Sequence, residues 1–144
     1  MSMITRTMLS AIAIVFCAVI LSPGATAGNV MMKISVPSEV ILIDNILALE
    51  SVSAPVAGFI VVHSMLMGAP DQVIGYAAIK KGNNPKVEIR LMMEPKVDDM
   101  LALILHADTG APGVFEFTEA SDADAPLMAV GRPLMEIVRV NDLR

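Results

Sequence analysis

Short apolar runs rich in valine and isoleucine recur along the chain from about residue 31, and Gly, Pro, Asn and Asp separate them. In residues 86–92 charged and apolar positions alternate, whereas residues 100–105 are almost wholly apolar. Period-two alternation is typical of a strand with one face in solvent, and a short continuous apolar run is typical of a strand covered on both faces. The pattern therefore predicts an outer strand at 86–92 and a central strand at 100–105.

The remaining apolar runs have the same length and the same punctuation. A helix over residues 41–49 is the weaker alternative for one of them, because Pro37 precedes it and its neighbours are β-branched. About seven to nine short strands at regular spacing favour an all-β fold, an antiparallel immunoglobulin-like sandwich. Further strands are expected at 31–36, 40–50, 58–65, 73–79, 114–117 and 134–140, with turns at 68–71, 80–85 and 110–113.

The N-terminal segment has the layout of a secretory signal. Arg6 is the single charge of the first 32 residues, and it precedes an apolar run from Leu9 to Leu21. This run is shorter than the roughly 20 residues that a membrane-spanning helix needs, and Ala25-Thr26-Ala27 supplies the small residues of a cleavage site. We expect cleavage after Ala27, with an uncleaved anchor as the alternative.

Two regions follow from that cleavage, a signal peptide over residues 1–27 and a single β-sandwich domain over 28–144 without a visible linker. The expected location is periplasmic or secreted. The leader also accounts for part of the high mean hydropathy of +0.67 and contains the only cysteine, Cys17. Loss of Arg6 shifts the net charge from −5 to −6, which argues against binding to nucleic acid or to an anionic membrane surface.

Catalytic motifs are absent from the sequence. There is no G-x-S-x-G, no H-E-x-x-H and no glycine-rich phosphate loop. The paired acids Asp98-Asp99, and Asp122 with Asp124, lie in turn-like segments, where we expect solvated carboxylates with ordinary pKa values. A histidine general base would be a third possibility, but no nucleophile or acid partner can be named. We therefore expect that the protein is not an enzyme.

The two histidines, His63 and His106, each end an apolar strand. One interpretation is that each imidazole bonds a backbone carbonyl and caps its strand. The other is a metal site. On a strand, His63, Met65 and Met67 would share one face, and imidazole with thioether is a ligand set that suits Cu(I). The candidate copper ligands are therefore His63, Met65, Met67 and His106.

Four segments of the chain form a recognisable pattern: 57–63, 73–75, 103–110 and 113–117, the last of which ends in Phe115-Glu116-Phe117. Together they resemble an uncharacterised family of exported bacterial and haloarchaeal domains, known only as a domain of unknown function. The resemblance spans about residues 31 to 140, and it implies a β-sandwich, export, and histidines that are regular parts of the fold. It implies no catalytic residue.

Two functional hypotheses remain open. The leading one is a non-enzymatic exported β-sandwich that binds an unknown envelope or extracellular partner and needs no cofactor. Its contact surface would be an edge strand or the loops at 67–72 and 108–113. The alternative is a periplasmic copper-binding protein that uses the four histidine and methionine ligands.

Overall fold

The computed structural model describes residues 30–118 and 120–144, which form ten β-strands and no helix. The expected signal peptide over residues 1–27, with its cleavage point, lies outside these described residues. In chain order the strands are β1 Lys33–Ser35, β2 Glu39–Leu42, β3 Ile46–Ala54, β4 Gly58–Leu66, β5 Ala69–Ile79, β6 Gly82–Arg90, β7 Met100–Ala107, β8 Met128–Ala129, β9 Arg132–Pro133 and β10 Met135–Leu143.

Eight of these strands form the two sheets of a sandwich. The smaller sheet has the order β1-β3-β6 and the larger has the order β2-β10-β7-β4-β5, while β8 and β9 form a separate ribbon. All pairs within the two sheets are antiparallel except β2 with β10, which is parallel. The neighbours β10-β7-β4 and β3-β6 reproduce the G-F-C and B-E arrangement of an immunoglobulin-type sandwich. The predicted fold class is thus confirmed.

The core between the two sheets is aliphatic. Because successive side chains of a strand point to opposite faces, alternate residues of each strand enter this core. In β7 the odd-numbered residues from 101 to 105 do so, yet the even-numbered residues from 102 to 106, on the other face, are buried as well. The larger sheet therefore has a second buried layer on its outer face. Burial of β7 on both faces confirms the central strand that the apolar run predicts.

Two turns differ from their predictions. The turn that joins β4 to β5 consists of Met67 and Gly68, both with positive φ, so β5 already begins at Ala69. The cluster at 80–85 is a turn only at its start, because β6 begins at Gly82. The side chain of Asn84 bonds both the N–H and the C=O of Lys80, and it completes the turn from within the strand.

Two further segments also differ from the structure that the sequence predicts. Residues 41–49 contain no helix. Instead β2 and β3 meet there at a tight turn formed by Asp44 and Asn45, both with positive φ. The expected strand at 114–117 is an extended segment without strand partners, although Phe115 and Phe117 alternate with exposed neighbours as they would in a strand. The two phenylalanines are half-buried because they contact the larger sheet beneath them.

The closest approach between β4 and β7 yields a stability prediction. A Cβ atom added at Gly58 would overlap the backbone carbonyl oxygen of His106 and lie 3.1 Å from Cα of Ala107. Because these are backbone atoms, relief requires the β4–β7 ladder to shift. We expect Gly58→Ala to lower the free energy of unfolding by about 3 kcal/mol, at the upper end of overpacking costs, as measured by urea denaturation.

The control is Gly68→Ala. A Cβ there meets nothing within 4 Å, so only the cost of its positive φ applies, about 1–2 kcal/mol. A Gly58→Ala variant as stable as the Gly68→Ala variant would contradict the close contact between β4 and β7.

Candidate functional site

The two histidines meet in the buried outer layer of the larger sheet. His63 lies on β4 and His106 on β7, with ring centroids 6.0 Å apart and ring planes at 20°. Their exposed fractions are 6% and 0%. The strand register places His63 opposite Ala102 and His106 opposite Phe59. The two residues are thus four positions apart along the ladder, and their side chains meet because both lean along it.

Aromatic side chains surround this histidine pair. The rings of Phe115 and Phe117 lie 5.5 and 4.8 Å from the ring of His106, each roughly edge-on to it. Phe115 also contacts Phe59 on β4 and Tyr76 on β5. The extended segment at 114–117 therefore covers the outer face of the larger sheet and shields the imidazoles from water.

One nitrogen of each imidazole bonds a backbone carbonyl. Nδ1 of His63 lies 3.2 Å from the carbonyl oxygen of Asp71, and Nδ1 of His106 lies 2.6 Å from that of Asp124. A carbonyl only accepts, so Nδ1 carries the hydrogen in both rings and Nε2 carries a lone pair. Within the described residues both Nε2 atoms are buried and have no hydrogen-bond partner. The carbonyl-bonding interpretation accounts for one nitrogen of each ring.

The surroundings disfavour protonation of both rings. Burial lowers the pKa of His63, and the hydrogen bond to Asp71 opposes this only in part. Burial also lowers the pKa of His106, and the nearby His63 adds to that effect. The carbonyl and carboxylate of Asp124 act in the opposite direction without reversing it.

Asp124 organises the covering segment. It is fully buried, and its carboxylate accepts hydrogen bonds from the backbone N–H groups of Thr109, Gly110 and Glu116 at 2.8, 3.2 and 2.7 Å. Burial alone would raise the pKa of Asp124, but these donors outweigh it and hold the pKa below its ordinary value. The expectation of a solvated carboxylate with an ordinary pKa is therefore wrong for Asp124, because a turn without strand partners directs its N–H groups inward.

The two methionines of the candidate copper set lie apart from one another. β4 ends at Leu66, and Met67 occupies the following turn, where its side chain is fully exposed. It therefore does not share a strand face with His63. Met65 is half-buried beyond the histidine pair and lines a cleft at that end of the sheet. The structure thus brings together the two imidazoles, and it places Met67 elsewhere.

This cleft contains three thioethers. A cavity of about 150 Å³ is lined by Met65, Met93 and Met100 together with the carboxylates of Glu94 and Asp99. We call it the methionine cleft. A second, wider depression continues from it past Met65 and Met100 to Asp98 and Ile137. The sequence pattern did not predict this cleft, because its methionines come from β4, β7 and the intervening 91–99 segment.

Fold and site together define an all-β sandwich domain with a buried histidine pair on the outer face of its larger sheet. The model of the family described as a domain of unknown function, DUF7282, matches residues 33–141, and the chain belongs to this family. The expected membership in an uncharacterised family is confirmed. Neither the curated proteins nor the solved structures contain a match to the chain. Across 30–118 and 120–144 no helix is long and apolar enough to span a membrane.

The lowered pKa values of the histidines predict how stability depends on pH. Both folded-state pKa values lie below the ordinary 6.5, so the unfolded chain binds protons more readily. Above about pH 6.5 the histidines of the metal-free protein should not reduce the free energy of unfolding. As the pH falls from there through the folded-state pKa values, protonation of the unfolded chain should lower that free energy. The Asp124 carboxylate, whose own pKa is lowered, stays ionised in this range and opposes the lowering at His106 without reversing it.

Urea denaturation at a series of pH values measures this dependence. The double variant His63→Asn/His106→Asn should show a flatter profile between pH 7 and pH 5, because asparagine does not titrate there. A wild-type profile that is flat across the same range would contradict the burial of neutral imidazoles.

Proposed function

We propose that the protein is a non-enzymatic, exported β-sandwich module that binds a partner through the methionine cleft and the neighbouring β4–β5 turn. The observation that carries this proposal is the apolar exposure at that end of the sheet. Met67 is fully exposed on the turn, and Leu66, Met93, Met100 and Ile137 are exposed around it. Exposed apolar patches beside a cavity are typical of interaction sites.

Methionine side chains suit such a role. Each is flexible and polarizable, so a surface built from several of them can adapt its shape to different apolar groups. Met65 and Met100 line both the cleft and the depression beside it, and Met93 lines the cleft. The apolar side chains of a bound segment would contact these methionines along both depressions. The β4–β5 turn, Met67 and Gly68, falls within the contact region at 67–72 that the sequence predicts.

The charge around the cleft narrows the partner further. Glu94, Asp98 and Asp99 line the two depressions, and among the described residues no lysine or arginine lines either of them. Asp98 also forms an ion pair with Arg139, at 3.2 Å, so Glu94 and Asp99 carry most of the free negative charge. The partner that fits best is a peptide segment in which apolar side chains stand next to lysine or arginine.

Selection from a displayed library of random linear peptides tests this chemistry. We expect enriched sequences to combine apolar with basic residues. A selected peptide should then bind Met93→Lys at least about 10-fold more weakly than wild type, a loss of about 1.4 kcal/mol, in fluorescence anisotropy. The expected loss comes from burying a charge in the cleft and from its repulsion of the basic residues of the peptide.

The matched control is Met128→Lys. Met128 is 53% exposed and Met93 51%, but Met128 lies on β8, outside the cleft. The control should bind the peptide as wild type does. Equal losses in both variants would contradict the assignment of the cleft, and enrichment of acidic peptides would contradict the charge argument.

Export is the second part of the proposal. The short apolar run and the small residues before Gly28 support it, as does the absence of cysteine from the remainder of the chain, which leaves nothing to mispair outside the cytoplasm. Expression of the full chain in a Gram-negative host should yield a periplasmic or secreted protein. Intact-mass measurement should place its N-terminus at Gly28. A full-length product that stays with the membrane would favour the uncleaved anchor.

A further inference from the structure

The two unpartnered Nε2 atoms are the strongest unexplained feature of the described residues. A buried polar atom without a partner costs free energy, typically about 1–3 kcal/mol. Here two such atoms, from His63 and His106, occupy the same layer of the sheet. A group that accepts both lone pairs would relieve both costs at once, which points to a ligand at this place.

The register indicates that the two histidine side chains lean towards each other. His63 and His106 are four residues apart along the β4–β7 ladder, about 13 Å at the usual rise per residue, yet their ring centroids are 6.0 Å apart. Nδ1 of each ring is turned to a backbone carbonyl, so Nε2 is the nitrogen that remains for a ligand. At this centroid separation two imidazole nitrogens can reach the same ion.

The hydrogen bonds at Nδ1 resemble those of metal-bound histidines. A ligating imidazole almost always donates its other N–H to a carbonyl or carboxylate, which fixes the tautomer and raises the basicity of the ligating nitrogen. Both rings have this arrangement, with the carbonyls of Asp71 and Asp124 as acceptors. The tautomer that metal binding at Nε2 requires is therefore already fixed in both rings.

The number of ligands selects the kind of cation. Within 30–118 and 120–144 no group of three or more His, Cys, Asp or Glu side chains is placed to hold a metal ion. Zn²⁺ prefers four ligands, and Mg²⁺ or Ca²⁺ prefer six or more oxygens. A monovalent ion of the copper group accepts two nitrogen ligands in a line, and its single charge costs less to bury than a double one.

We propose that His63 and His106 bind one Cu(I) or Ag(I) ion between their Nε2 atoms. The site is independent of the peptide-binding function proposed above, since it lies in the covered layer and not in the methionine cleft. The Asp124 carboxylate acts favourably on positive charge at His106 and offsets part of the cost of burial. The aromatic rings of Phe115 and Phe117 keep water from the ion.

The decisive measurement uses the wild-type protein and Ag(I), which does not change oxidation state during the experiment. Nitrogen-15 NMR of the imidazoles should first show the Nδ1–H tautomer in both rings. Addition of one equivalent of Ag(I) should then shift both Nε2 resonances and leave both Nδ1 atoms protonated. Cu(I), titrated anaerobically against a competing chelator, should bind with a stoichiometry of one per chain.

Substitution by asparagine removes one ligand with little other change. The Nδ2 atom of asparagine lies close to the position of imidazole Nδ1, so His63→Asn and His106→Asn keep the donor to the carbonyl and lose Nε2. Each should weaken Cu(I) binding by more than about 100-fold, which exceeds the effect usual for outer-shell partners. The control, Met65→Leu/Met67→Leu, should bind Cu(I) as wild type does.

Several outcomes would overturn the proposal. Ag(I) binding that leaves both Nε2 resonances in place would assign the ion to methionine sulfur, and so would loss of Cu(I) binding in the Met65→Leu/Met67→Leu variant. Tighter binding of Zn²⁺ than of Cu(I) at the same nitrogens would overturn the choice of ion. If the asparagine variants fail to fold, the wild-type NMR titration decides alone.

Discussion

The strand β7 lies in the middle of the larger sheet and carries buried side chains on both faces, and most of the structure follows from that arrangement. The inner face is covered by the smaller sheet, as in any sandwich. Among the described residues the smaller sheet covers the inner face alone, and the chain covers the outer face by other means. It does so with the extended segment at 114–117, whose two phenylalanines pack on β4, β5 and β7. All the aromatic residues of the described part of the chain gather there.

A covering segment without strand partners leaves backbone N–H groups that need acceptors. The buried carboxylate of Asp124 accepts from one of them, that of Glu116, and from the N–H groups of Thr109 and Gly110 in the turn before the segment. The carbonyl oxygen of the same residue fixes the ring of His106. Asp124 therefore links the covering segment to the orientation of the imidazole. The lowered pKa values and the defined tautomers of the histidine pair are consequences of how the outer face is covered.

The sequence pattern predicted the parts of the fold that depend on burial alone. The alternation at 86–92 and the apolar run at 100–105 report directly on which faces are covered, and they became the edge strand β6 and the central strand β7. Segment 114–117 alternates equally well, but alternation records only the burial of side chains and contains no information about backbone partners. Asp124 looked like any loop acid, because its N–H donors come from residues 8 to 15 positions away.

The candidate site was predictable in part. That both histidines end apolar strands was visible in the sequence, but their meeting depends on the β4–β7 register and on the lean of both side chains. The placement of Met67 was not predictable from strand periodicity, since the turn begins one residue earlier than the apolar pattern suggests.

The pairing of β2 with β10 has a consequence for folding during synthesis. The larger sheet cannot be completed until β10 has been synthesised, about 90 residues after β2. Such non-local strand pairing slows folding and leaves the larger sheet incomplete while the chain is still being synthesised.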